Sequence, residues 1–211
     1  MYIPSHFAVD DEGAAEFLST IMAADLVTMT DDGLVATFLP LLFDRDRGAL
    51  LGHVARKNDQ WSRAAHGESL VIAHGDDAYV SPGWYASKAE HGRVVPTWDY
   101  STAHVYGNLL IHDDVDWLDD IVRRLTDRHE SGRREPWSVD DAPATFRAGQ
   151  LRAIVGVELE ITRIEVKLKL SQNRSAADIE GVVDGLIGDG LPRVADAVDR
   201  ARPPRKRVLD A

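Results

Sequence analysis

Arg56, Lys57 and Asn58 follow Gly52-His53-Val54-Ala55 and precede Asp59-Gln60-Trp61, so two cations and an amide stand where a strand passes into a turn or helix start. That combination suits a phosphate: a guanidinium fork, an ammonium point charge and exposed backbone N–H groups all favour a dianion. Taken alone, two neighbouring cations are also what a solvated turn looks like. A second group, Lys167-Leu168-Lys169-Leu170-Ser171-Gln172-Asn173-Arg174, ends an alternating segment with clustered donors. A third is aromatic: Tyr79, Trp84, Tyr85, Trp98 and Tyr100 lie close in sequence around Ser81, Ser87 and Lys88. Rigid aromatic walls can sandwich a planar ring, with Lys88 facing an anion, and the same run also reads as an aromatic sheet core with polar turns.

Other chemistries find less support. His53, His91 and His104 are candidate proton donors or axial haem ligands, yet no His-x-x-x-His or His-Glu-x-x-His spacing is present, so no metal site is expected. Residues 113–120 and Asp140-Asp141 read as helix caps and solvated faces. A Gly-x-Ser-x-Gly elbow is missing, which removes the simplest nucleophile signature. The 211 residues contain no cysteine, so disulfides, thiolate metal sites and thiol nucleophiles are excluded. A formal charge of −11 repels polyanions, and DNA contact would rely on the basic stretch at residues 200–207, with Arg202, Arg205, Lys206 and Arg207. No secretory leader or membrane span is recognisable, so a cytoplasmic protein without a membrane partner is expected.

These groups must be positioned mainly by strands. Residues 10–24 place Phe17, Leu18, Ile21 and Met22 on one helical face, with Asp10 or Asp11 as N-cap. Residues 26–30 and 34–43 are strand-like on either side of Asp31-Asp32-Gly33, a strong hairpin signal, and a polar turn at 44–48 leads into a strand at 49–55. Further strands are expected at 69–74, 78–81 and 102–112. An amphipathic helix at 114–129 and another starting at Pro143, carrying Phe146, Leu151 and Ile154, come before a long alternating strand at 154–170 whose phase slips near Arg163-Ile164. Ser175 caps a last helical stretch to Ile187, and the tail beyond Pro203 reads as mobile.

In order along the chain, Met1-Tyr2-Ile3-Pro4, Ala36-Thr37, Leu39-Pro40, Gly52-His53 through Trp61, Trp84-Tyr85, Ser87-Lys88 and Pro96-Thr97-Trp98 form one pattern. Leu125-Thr126-Asp127-Arg128-His129-Glu130, Pro136-Trp137-Ser138, Ala153-Ile154-Val155-Gly156 and residues 169–173 continue it. With these residues the chain resembles the PaiB-type FMN-binding split-barrel family, whose members carry the label of negative transcriptional regulators of protease synthesis and sporulation. The resemblance implies an α+β, mainly β fold: a Greek-key, six-stranded split β-barrel of the pyridoxamine-phosphate-oxidase-like type with flanking helices. It implies a barrel domain over residues 1–187, with a C-terminal helix and basic tail at 188–211. It also implies a homodimer with FMN in clefts at the subunit interface. Arg56, Lys57 and Asn58 would then hold the phosphate side, Thr37, Ser81 and Lys88 would line the cleft, and Lys169 and Gln172 would reach in from the partner subunit. His53 belongs to the same implied cofactor set. The implied function is that of a regulator with flavin-dependent oxidoreductase activity.

The chain departs from the family pattern at Phe38 and Asp77, where histidines are usual, at Asp76, where proline is usual, and at Asp99, where asparagine is usual. These changes leave a second reading open, a modified pocket for another planar ligand such as haem or a metabolite, or for a specialised reaction.

Overall fold

The computed structural model describes residues 1–63 and 66–203. Its strands are β1 (Ala23–Thr30), β2 (Gly33–Asp44), β3 (Ala49–Ala55), β4 (Ser69–Val80), β5 (Thr97–His112) and β6 (Ile154–Lys169). They close into a barrel in the order β1-β2-β3-β6-β5-β4, which leaves no open sheet edge. The helices are α1 (Asp11–Thr20), α2 (Ser87–His91), α3 (Val115–Glu130), α4 (Ala144–Leu151), α5 (Ala176–Gly188) and α6 (Pro192–Arg200). This is the six-stranded antiparallel closed sheet with flanking helices that the resemblance implies. By its contacts the chain divides into two compact units.

The larger unit comprises Asp10–Ala73 and Ala103–Glu165. Its first hairpin pairs Thr30 with Gly33, whose φ of 103° only glycine adopts without strain, so the turn forms where the Asp-Asp-Gly sequence puts it. Asp10 caps α1 by accepting from the Gly13 N–H at 2.9 Å, and Asp114 caps α3 in the same way from Trp117 at 2.9 Å. α1 ends at Thr20, earlier than its apolar spacing suggests, because Ile21 turns extended and β1 begins two residues later. On β3, Ala49 and Leu51 pack against Ile121 and Leu125 of α3. The pleat therefore sends Leu50 and Val54 to the opposite face, and Gly52 on that face pairs with Leu41 of β2. Pro143 stands just before α4 as its N-cap, Phe146 on that helix is 58% exposed, and Ile154 already belongs to β6.

The smaller unit comprises Met1–Val9, His74–Thr102 and the described part of Val166–Ala211. Its core joins Ala78, Val80 and Tyr85 to Ile179, Val182 and Leu186 of α5 and to Val194 and Val198 of α6. Ser175 caps α5 from the Asp178 N–H at 3.1 Å, as its sequence position suggests. Trp84, in a short 3-10 turn at Pro82–Trp84, lies directly over Gly181 and Gly185 of α5. The separate strands expected at 69–74 and 78–81 are one strand, β4. Asp76 there is held by an ion pair with Arg193 of α6. Strand β5 starts at Thr97, earlier than expected, so Trp98 and Tyr100 are strand residues.

Candidate functional site

The turn after β3 is built around one buried amide. Gln60 is 3% exposed, and its Nε2 donates to the Leu26 carbonyl at 3.1 Å, Thr28 Oγ1 at 3.1 Å and the Val35 carbonyl at 3.2 Å. Its Oε1 accepts from Thr37 Oγ1, and Thr37 accepts in turn from Asn58 Nδ2 at 2.8 Å. Asn58 also caps the short 3-10 turn Asp59–Ser62 by accepting from the Gln60 N–H. The side chains of Gln60, Thr37 and Asn58 thus satisfy one another, so the turn is fixed to β1 and β2 and carries Lys57 exposed at its apex. Sequence reading brought Thr37 and Asn58 forward but missed Gln60, whose role depends on partners 25 to 34 residues away.

Arg56 is differently placed. Its Nε donates to the Arg152 carbonyl at 2.8 Å, Nη2 to the Ile154 carbonyl at 3.0 Å, and both Nη groups to Asp113. The paired Asp113 raises the guanidinium's pKa and is itself held below the usual carboxylate range. Arg56 thus clasps the end of β3 to the start of β6 and to the segment after β5, and a phosphate would have to displace Asp113 to reach it. We expect Arg56→Ala to lower the melting temperature more than Lys57→Ala does, in a differential scanning experiment on both variants; equal melting temperatures would show that the clasp contributes nothing.

His53 is not part of the Thr37, Asn58 and Gln60 network. It shares the helix-covered face of β3 with Ala49 and Leu51 and lines a cavity of 220 Å³ with Val122, Trp137, Val139, Phe146 and Leu151. Its Nδ1 is buried without a hydrogen-bond partner, and burial lowers the imidazole pKa, which keeps the ring neutral.

Ser81, Lys88, Lys169 and Gln172 lie in the smaller unit. Ser81 Oγ accepts from the Gly83 N–H at 3.1 Å and holds the turn that carries Trp84. Lys88 is exposed on α2, which Ser87 ties to Asp178 of α5 through its N–H at 2.9 Å and its hydroxyl at 3.1 Å. Gln172 folds back on its own chain, donating to the Leu168 carbonyl at 2.6 Å and accepting from the Leu170 N–H at 2.8 Å. Lys169 turns inward, donating to Thr97 Oγ1 at 2.8 Å and to the Trp98 carbonyl, with Asp99 Oδ1 3.6 Å away. Asp99 is fully buried, and Ser171 Oγ donates to its other oxygen at 2.7 Å. Ser171 holds a φ of 63°, alone among described non-glycine residues, and its bond to Asp99 offsets part of that strain.

The aromatic run divides between the two readings of the sequence. Tyr85 is in the core and Trp84 packs on α5, whereas Tyr79 and Trp98 stay about half exposed in an edge-to-face pair 6.4 Å apart. Among the departures from the family pattern, Phe38 is 71% exposed and Asp77 is also exposed, Asp76 is paired with Arg193, and Asp99 is the buried partner of Ser171. Arg202 pairs with Asp199, while Arg205, Lys206 and Arg207 and the tail beyond Pro203 lie outside the described residues. No described helix is long and apolar enough to cross a membrane.

An anionic headgroup fits the turn after β3, because Lys57 is an exposed ammonium on a locked backbone with Asn58 beside it. The same test gives no place in that group to His53, which faces the helices. A family model described as "Putative FMN-binding domain" matches residues 1–163. The Bacillus subtilis protein named "Protease synthase and sporulation protein PAI 2" is 31% identical over 213 residues, covering 99% of this chain and 100% of that protein. Among solved structures, a conserved hypothetical protein from Mycobacterium tuberculosis superposes with a TM-score of 0.60 at 11% identity, covering 83% of this chain and 94% of that one. The FAD and heme binding protein from Mycobacterium smegmatis superposes with a TM-score of 0.59 at 18% identity, covering 86% of this chain and 80% of that one. At those identities the structural likeness concerns the fold.

Proposed function

Because the chain belongs to the family described as "Putative FMN-binding domain", we propose that it is an FMN-binding protein in which the turn after β3 receives the cofactor's phosphate. The observation that carries this reading is the exposed Lys57 on a turn immobilised by Thr37, Asn58 and Gln60. A pre-organised turn loses little entropy when it meets a ligand, and a charge-assisted contact from Lys57 to a phosphate oxygen is stronger than a neutral one. Arg56 supports the same turn from its clasp with Asp113, which compensates its charge. Ser81 and Lys88 remain proposed cleft residues, and Lys169 and Gln172, which bond within their own chain here, would reach the cofactor from the partner subunit. Lys88 is the exposed cation among them, and Ser81 positions the turn that precedes it.

FMN, when bound, supplies one- or two-electron transfer, and the protein's part is to bind, orient and shield it. A flavin-dependent oxidoreductase therefore follows more directly from this reading than a DNA-binding regulator does. The regulatory role rests on the name of the Bacillus subtilis relative, and a formal charge of −11 works against contact with a polyanion. The homodimer is also part of the proposal. Leu34 and Phe38 are 70% and 71% exposed on the same face of β2, an apolar strip of the kind a second copy covers.

The test compares FMN with riboflavin, which lacks the phosphate, by fluorescence titration. Wild-type protein should prefer FMN, and Lys57→Ala should weaken FMN binding about tenfold while leaving riboflavin unchanged, the size expected for one charge-assisted hydrogen bond. An unchanged FMN affinity in Lys57→Ala would place the phosphate elsewhere.

A further inference from the structure

We infer that the cavity beside His53 is a second ligand site, separate from the flavin reading, and that it takes a neutral single-ring aryl carbonyl compound. Its walls are mainly apolar: Val122 of α3, Leu151 of α4 and Val139 between them line it, and Trp137 and Phe146 close it while remaining 49% and 58% exposed. A guest would cover that exposed aromatic surface and gain from its burial. The volume of 220 Å³ lies above the roughly 150 Å³ that holds benzene and below the range of about 300–1,000 Å³ for larger ligands, so one substituted ring fits.

The polar content of the cavity sets the chemistry of the guest. The His53 ring is neutral, and Nδ1 is sealed without a partner, so an N–H placed there would be a buried donor without an acceptor. The proton belongs on Nε2, and His53 offers a guest a donor, alongside the Gln150 amide, which also lines the cavity and can donate to a neutral acceptor. Arg147, at the rim, is already engaged by Asp140 at 2.6 Å, with Asp119 3.9 Å away, and this pair of carboxylates disfavours an anionic guest. A ring bearing one neutral acceptor satisfies the donor and the walls together.

Acetophenone and ethylbenzene have nearly the same shape and differ in the carbonyl, which makes them suitable probes for saturation-transfer NMR titration of the full chain. We expect both to bind and acetophenone to bind about tenfold more tightly, as one hydrogen bond to a buried donor implies. His53→Leu should keep ethylbenzene binding and remove most of the preference, and the retained ethylbenzene site reports that the variant is folded. Independently of any variant, nitrogen-15 spectra of the wild type should show His53 as the Nε2–H tautomer, with Nε2 shifted by acetophenone. Absence of saturable binding, equal affinity for the two probes, or an Nδ1–H tautomer would overturn the assignment.

Discussion

Alanine at Gly181 is expected to destabilise the protein by about 3 kcal/mol, the upper part of the range for overpacking a filled site. A Cβ built there lies 2.0 Å from the Trp84 carbonyl oxygen and 3.1 Å from its carbonyl carbon, so the obstacle is backbone and no rotamer change relieves it. One turn further along α5, a Cβ at Gly185 meets the Trp84 indole at 2.2 Å, where the obstacle is a side chain that would have to leave its place on the helix. The helix must then move away from Val80 and Tyr85, loosening the core it shares with them. Gly188 on the same helix has nothing within 4 Å and serves as the control: alanine there should be neutral or slightly stabilising. Chemical unfolding of the three variants decides the matter. Equal stability of Gly181→Ala and Gly188→Ala would mean that the contact with Trp84 is not close.

The second large effect is expected at Lys169. Removing the ammonium in Lys169→Met leaves Asp99 buried with Ser171 as its hydrogen-bond donor and takes the donor from Thr97 and the Trp98 carbonyl. Breaking a buried pair costs about 3–5 kcal/mol; with Lys169 partly exposed and its nitrogen 3.6 Å from Asp99, a loss of about 2–3 kcal/mol is expected. The pH dependence is specific. Burial already pushes the Asp99 carboxyl above its ordinary range, opposed by Ser171 and Lys169, and losing the lysine pushes it further. A carboxyl whose folded pKa lies above its unfolded one destabilises the fold once ionised. The deficit of Lys169→Met should therefore be full near neutrality and close as the pH falls through the folded pKa of Asp99 toward its unfolded value. Adding Asp99→Asn should restore much of the loss at neutral pH. A deficit that persists unchanged in acid would show that Asp99 is not its source.

Local signals in the sequence specified much of the fold. Asp31-Asp32-Gly33 sets the first hairpin because the turn needs a left-handed residue where the glycine stands, and Asp10, Asp114 and Ser175 cap their helices through bonds that span three residues. The phase slip in β6 is also present: Val155, Val157 and Leu159 are buried, and Val166 resumes burial on the other parity. Where reading failed, a distant partner had changed the meaning of a local signal. Gly75-Asp76-Asp77 looks like a turn, yet Asp76 is accommodated in a continuous strand by Arg193, 117 residues away. Trp98 and Tyr100 belong to β5, where they alternate around the buried Asp99.

The candidate site was less legible for the same reason. Arg56 has the sequence signature of a phosphate ligand, and its carboxylate partner is 57 residues distant. His53 could have been separated from Arg56 by strand alternation, since it shares parity with Ala49 and Leu51, which face the helix. Gln60 gave no signal, because a buried glutamine becomes meaningful when Leu26, Thr28 and Val35 are known to surround it.

The central functional claim is that this chain binds FMN, and the visible absorbance spectrum of freshly purified protein, followed by FMN titration of any colourless fraction, tests it most directly. The account predicts flavin absorbance bands, or their appearance on titration with saturation at one FMN per chain. A colourless protein that leaves FMN fluorescence unchanged at every concentration would contradict it.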